Sequence, residues 1–138
     1  MALILDTGPL LAALDANDPD HEACARLIEG SREDLVVPDL VLAELDYWCL
    51  ERLGTNAWLV FLEDLLAGAY RIEHPTDQDL RRCSELQRQY EDLDLGIVDA
   101  SIVALAERLV EKRVATLDHR HFSVVRPRHV EALTLLPD

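Results

Sequence analysis

The chain has 138 residues, 49% hydrophobic and 29% charged, which fits one packed domain over residues 1–138 and leaves no room for two of ordinary size. Its formal net charge is −14, from 27 acidic against 13 basic side chains. That balance excludes a generic basic module that holds phosphates over its whole surface. The charge is uneven: residues 1–70 carry 14 acids and 3 bases, residues 71–138 carry 13 and 10. A polyanion is therefore best tolerated near the C-terminus, where Arg113, Arg120 and Arg126 are the candidate contacts.

Cys24, Cys49 and Cys83 are widely spaced and form no CxxC or Cys/His zinc pattern. Buried thiols in a reducing compartment are expected. Met1–Leu5 is too short for the apolar region of a signal peptide, and no apolar run approaches the ~20 residues of a membrane span. A cytoplasmic location with no membrane partner is the expectation.

Short apolar runs alternate with helical patterns along the chain, as in a parallel α/β sheet. Ala2–Leu5 predicts a buried strand. Pro9–Leu14 predicts a short helix, and the turn at 17–20 caps a helix over His21–Glu29, closed by Gly30. Leu35–Val37 predicts a second strand, stopped by Pro38. Helices follow over Leu40–Leu53, closed by Gly54, and from a Thr55 cap through Leu66, with Gly68 beyond. Tyr70–Glu73 reads as a short strand, and Thr76 caps a helix to about Tyr90. Gly96 marks a turn before an amphipathic helix over Ile97–Lys112. Val114–Leu117 and Leu133–Leu136 complete a sheet of four or five strands sandwiched between helices.

In such sheets ligands bind outside the carboxyl ends of the strands. Asp6 follows the first strand and Asp118 the fourth, so both fall on that edge. Either residue could equally serve a turn. On the helix 40–53, Glu44 lies about 40° from Trp48 and about 60° from Val41, at the border of the apolar stripe. Asp99 aligns with Val103, Ala106 and Val110, which sets a carboxylate on the buried face of its helix in the first turn. A helix N-terminus also favours Asp as a cap. Three or four carboxylates meeting at one edge repel by several kcal/mol, on the order of 4 kcal/mol per close pair, unless a counterion intervenes. No Lys or Arg adjoins Asp6, Glu44 or Asp99 in sequence, so a hard divalent cation, Mg²⁺ or its substitute Mn²⁺, is the natural compensation. His119 and His121 are possible further ligands, but an HxH pair beside a strand end is commonly incidental, and zinc is not expected.

Four segments carry a resemblance: Leu5-Asp6-Thr7-Gly8-Pro9, Val41-Leu42-Ala43-Glu44-Leu45, Gly96-Ile97-Val98-Asp99-Ala100-Ser101 and Ala115-Thr116-Leu117-Asp118-His119. In this order and spacing the chain resembles PIN-domain ribonucleases, closest to VapC-type toxins of type II toxin–antitoxin systems. The resemblance places an acidic metal-binding quartet on Asp6, Glu44, Asp99 and Asp118, a hydroxyl lining the pocket on Thr7, and a further acid at Asp94. It implies Mg²⁺-dependent cleavage of RNA phosphodiesters, with Glu44 completing the metal shell or acting as base. It also implies an RNA substrate, a cognate antitoxin and a homodimer, for which the Trp48/Trp58 region is a candidate interface. Haloacid-dehalogenase-like phosphatases and receiver domains need a later Lys, and Lys112 is the only one here. The remaining alternative is a catalytically silent PIN-like fold acting as a partner-binding module.

Overall fold

The computed structural model describes residues 1–138. Five parallel strands form one sheet in the order β3-β2-β1-β4-β5: β1 Ala2–Leu5, β2 Asp34–Pro38, β3 Arg71–Glu73, β4 Arg113–Ala115 and β5 Thr134–Leu136. The central strand β1 is buried throughout, so its residues are apolar without alternation. It pairs Ile4 with Val36 on one side and with Val114 on the other.

Seven helices make the connections: α1 Thr7–Leu14, α2 His21–Glu29, α3 Asp39–Arg52, α4 Thr55–Leu66, α5 Asp77–Gln89, α6 Ile97–Leu109 and α7 His119–Val124. A 3₁₀ turn, Glu91–Leu93, lies between α5 and α6. Helix α1 packs on α2 and α3, α3 packs on α4, and α5 packs on α6. Twenty-seven buried residues form one contiguous core, and β1 together with the middle of α6 supplies its centre. No helix is long and apolar enough to cross a membrane. All three cysteines are free and buried.

Most predicted elements are present, and the departures have local causes. Thr76 does cap α5: it forms a capping box with Asp79, each side chain bonding the other's backbone amide. Thr55 is the first helical residue and not the cap; Gly54 holds that position at φ +93, a conformation that favours glycine. Helix α6 stops at Leu109, short of Lys112, because Val110 turns left-handed at φ +55. The Glu111 amide then reaches back to the Ala106 carbonyl at 2.9 Å, a Schellman closure with valine where glycine is usual. Val110 is therefore exposed, not part of the α6 apolar face. The fourth strand ends at Ala115, and the short helix α7 lies between it and β5, where the sequence predicted only a connection.

Helices α5 and α6 are joined by charged forks. Arg82 donates to both Glu107 oxygens, at 2.8 and 3.0 Å, and Arg108 donates to Asp79 at 2.9 Å. For Glu107, burial raises the carboxyl pKa, but the Arg82 bonds and the Arg128 amide outweigh it and leave the value lowered. A lowered carboxyl stabilises the fold above its unfolded value near 4.5 and loses that contribution as pH falls through the folded value. The Glu107→Gln variant should therefore show a flatter loss of stability below about pH 4.5 in urea unfolding. An acid limb identical to that of the parent would remove Glu107 from the account.

Candidate active site

Asp6 sits where β1 ends and caps α1. Its amide bonds the Ala115 carbonyl at 2.9 Å, continuing the ladder to β4, and its side chain is only 6% exposed. Both carboxylate oxygens are held: Oδ1 accepts the Thr7 amide and Oδ2 the Thr116 hydroxyl, each at 2.8 Å. Burial pushes its pKa up, the Thr116 and Thr7 bonds pull it down, and the charges of Glu44 and Asp118 push it up again; the net result is raised.

Glu44 approaches from α3. The Thr7 hydroxyl donates to its Oε1 at 2.5 Å, which ties the α3 carboxylate to the start of α1. Asp99 enters from the first turn of α6, half-buried. Its pKa is pushed up to about 6, first by burial, then by the charges of Asp6 and Asp118, against the pull of His121. Asp118 caps α7 and receives the His121 amide at 3.3 Å. The chain reaches that cap by turning at Thr116, whose hydroxyl oxygen also accepts the Asp118 amide at 3.0 Å.

The four predicted carboxylates therefore converge. Asp6, Thr7, Gly8, Glu44, Asp99, Leu117 and Asp118 line one open cleft of about 530 Å³ with no basic side chain among them. A cleft of about 590 Å³ lies elsewhere, between α5, α6 and Arg128, but there Arg82, Arg108 and Arg128 already pair with acids. Asp94 is exposed at the end of the 3₁₀ turn and does not line the acidic cleft. Of the three candidate arginines, Arg120 is exposed in the first turn of α7 beside Asp118, and Arg126 is exposed just past the end of that helix. Arg113 opens β4 at the opposite edge of the sheet and pairs with Glu33 at 3.0 Å.

Thr116 was not expected in the cluster, and His121 was expected only as a possible further ligand, in an HxH pair read as incidental. Thr116 is fully buried and joins Asp6 to Asp118. His121 places Nδ1 2.8 Å from Asp118 Oδ2 and 3.1 Å from Asp99 Oδ2. Burial lowers the His121 pKa, but the two carboxylates more than reverse this and leave it raised. The signal for His121 was its spacing of three from Asp118, one helical turn, which has meaning only once α7 is known. His119 instead points to the Thr116 carbonyl, at 3.2 Å.

Asp99, Asp118 and His121 each offer a ligand atom within 4.8 Å of the others. Oxygen donors in negative excess, with no fixed Lys or Arg, fit a divalent cation.

The PIN-domain family matches residues 3–126. The chain belongs to the PIN-domain family. It is 38% identical over 135 residues to Ribonuclease VapC26 of Mycobacterium tuberculosis, covering 98% of this chain and all of that one. The PIN fold extends to solved structures. The crystal structure of Mycobacterium tuberculosis VapC20, a Sarcin-Ricin loop cleaving toxin, superposes with a TM-score of 0.82 at 22% identity, covering 94% of this chain and 98% of that one. VapBC2 from Rickettsia felis, bound to a promoter DNA fragment, gives 0.70 at 18% identity over 99% and 100% of the two chains.

Repulsion among these carboxylates has a direct consequence for the PIN domain. In chelator at pH 7.5, Asp99→Asn should raise the urea stability by on the order of 1 kcal/mol, because it removes one buried like charge. A loss of stability would mean that the His121 contact outweighs the repulsion.

Proposed function

We propose that this chain is a metal-dependent endoribonuclease toxin of the VapC type, held in check by a cognate antitoxin. The observation that carries the reading is the convergence of Asp6, Glu44, Asp99 and Asp118 in one open cleft at the carboxyl edge of the sheet. The 38% identity to a VapC ribonuclease over nearly the whole chain supports it independently. A catalytically silent partner-binding module would have no use for four uncompensated acids in one cleft.

Asp6, Asp99 and Asp118 would hold Mg²⁺ or Mn²⁺, and Glu44 lines the same cleft. When bound, the cation supplies Lewis acidity at a phosphate oxygen and a lowered pKa for water. Asp6 is the most rigid of the set, since both its oxygens are fixed by Thr7 and Thr116. Glu44 has one oxygen fixed by Thr7; the other is open to the cleft, where it orients the attacking water or accepts its proton. Phosphoryl chemistry of this kind depends on positioning and charge compensation, not on a protein nucleophile.

The partners follow from the charge. Arg120, in the first turn of α7 after Asp118, and Arg126, just past that helix, take the RNA phosphates; Arg113, at the amino end of β4, is already paired with Glu33. The acidic residues before position 70 suit a basic antitoxin segment. Tyr47, Leu50, Leu59, Val60 and Leu66 on α3 and α4 are exposed and offer an apolar face to a second copy, while Trp48 and Trp58 pack inward against the core.

RNA cleavage by the purified protein should require Mg²⁺ or Mn²⁺. Asp6→Ala and Asp99→Ala should lower its rate by about 100-fold or more, with folding checked by circular dichroism. Undiminished cleavage by either variant, or cleavage in excess chelator, would overturn the assignment. Charge removal at Arg120 and Arg126 together should reduce the slope of log affinity against log salt by about 0.7 per lost phosphate contact. An unchanged slope would place the RNA on another face.

A further inference from the structure

His121 makes three polar side-chain contacts, and together they decide what the ring is for. Nε2 lies 3.1 Å from the Leu93 carbonyl oxygen. A carbonyl can only accept, so Nε2 carries a hydrogen and donates it. In the neutral ring this leaves Nδ1 as a bare lone pair. That lone pair faces Asp118 Oδ2 at 2.8 Å and Asp99 Oδ2 at 3.1 Å. Three electron-pair donors thus converge on one point, which either the Nδ1 proton of the imidazolium or a cation that displaces it can occupy. Both carboxylates come from the acidic cleft already described.

The arrangement on the far side of the ring matters as much. Histidines that bind metal commonly donate the other ring N–H to a backbone carbonyl or carboxylate, which fixes the tautomer and the ring plane. Leu93 does this for His121 from the 3₁₀ turn, an element outside the cluster. The spacing agrees too. Two ligand atoms sharing an edge of an octahedral shell about 2.1 Å from the cation lie about 3.0 Å apart. The two Nδ1 separations fall on either side of that value.

We propose that His121 is a direct nitrogen ligand of the cation, bound beside Asp99 and Asp118, with the Leu93 carbonyl as its outer support. The inference rests on the reading of this cleft as a metal site and adds a donor of a different kind to its acids. One imidazole among carboxylates shifts the preference toward Mn²⁺ and other first-row transition ions and away from Mg²⁺, which favours oxygen and sheds water reluctantly. His121 is also placed to set the relative positions of two carboxylates from different elements, α6 and the cap of α7.

The test is pulsed electron paramagnetic resonance of the full-length protein loaded with one equivalent of Mn²⁺. A directly bound imidazole gives ¹⁴N couplings, and labelling the histidines with ¹⁵N must replace them with ¹⁵N couplings. The wild-type protein should show them. His119→Ala should retain them and His121→Ala should lose them. Calorimetry should show Mn²⁺ affinity falling about 10-fold or more in His121→Ala. Mg²⁺ affinity should stay within about a factor of three. If His121→Ala fails to fold, the couplings of the wild type that persist in His119→Ala decide the matter. Mn²⁺ that binds, and is weakened by Asp99→Asn, but shows no coupled nitrogen would overturn the ligand role and leave the metal site standing. Absence of any Mn²⁺ binding would overturn both.

Discussion

Carboxylates pressed together at the edge of a hydrophobic sheet repel one another, and the sheet gives them no room to separate. Asp6 is fixed by the geometry of β1: the strand is fully buried, and its last ladder bond to β4 sets the aspartate at the carboxyl edge. Asp99 and Asp118 arrive there because α6 starts and α7 is capped beside that same edge. The raised pKa values of Asp6 and Asp99 are the signature of this crowding, with burial as the leading cause and neighbouring acids adding to it. Hydrogen bonds from Thr7 and Thr116 offset part of the cost, and the contiguous core carries the rest. Such strain at a site is usual where activity is selected over stability.

This constraint explains how so acidic a chain can act on a polyanion. A net charge of −14 repels RNA over most of the surface. No Lys or Arg lines the cleft, and His121 is the one basic group in contact with its acids, so the proposed cation is what would reverse the sign there. Selectivity for phosphate then comes from the site itself, not from the overall field. The acids outside the cleft, concentrated before residue 70, remain available to a basic protein partner.

The parts of the site that the sequence made legible share a physical cause. Asp6 was readable because an unbroken apolar run ends at it, and Asp99 because an amphipathic helix has one carboxylate out of place. Glu44 was readable from its position beside the α3 stripe of Val41 and Leu45, both fully buried. The unread parts depend on short elements. Helix α7 has six residues, too few for a helical period to emerge, and without it His121 could not be told from its HxH neighbour His119 as a ligand. Thr116 looked like a strand residue because it continues β4 in sequence, yet its hydroxyl turns the chain toward Asp118. Arg113, grouped in the sequence with Arg120 and Arg126, lies at the amino end of β4 and pairs with Glu33, whereas the other two follow the carboxyl end of that strand. Val110 was misplaced because nothing in its chemistry announces a left-handed residue; a glycine there would have.

On the proposed reading, bound metal relieves the repulsion in this cleft. The most direct measurement of this is the thermal unfolding midpoint in chelator and across a titration of Mn²⁺. The wild-type midpoint should climb with metal, with a stabilisation of about 2.7 kcal/mol when the free ion reaches 100 times its dissociation constant. The same titration of Asp99→Asn should give a much smaller rise. A midpoint that ignores Mn²⁺, or that climbs equally in Asp99→Asn, would contradict the account.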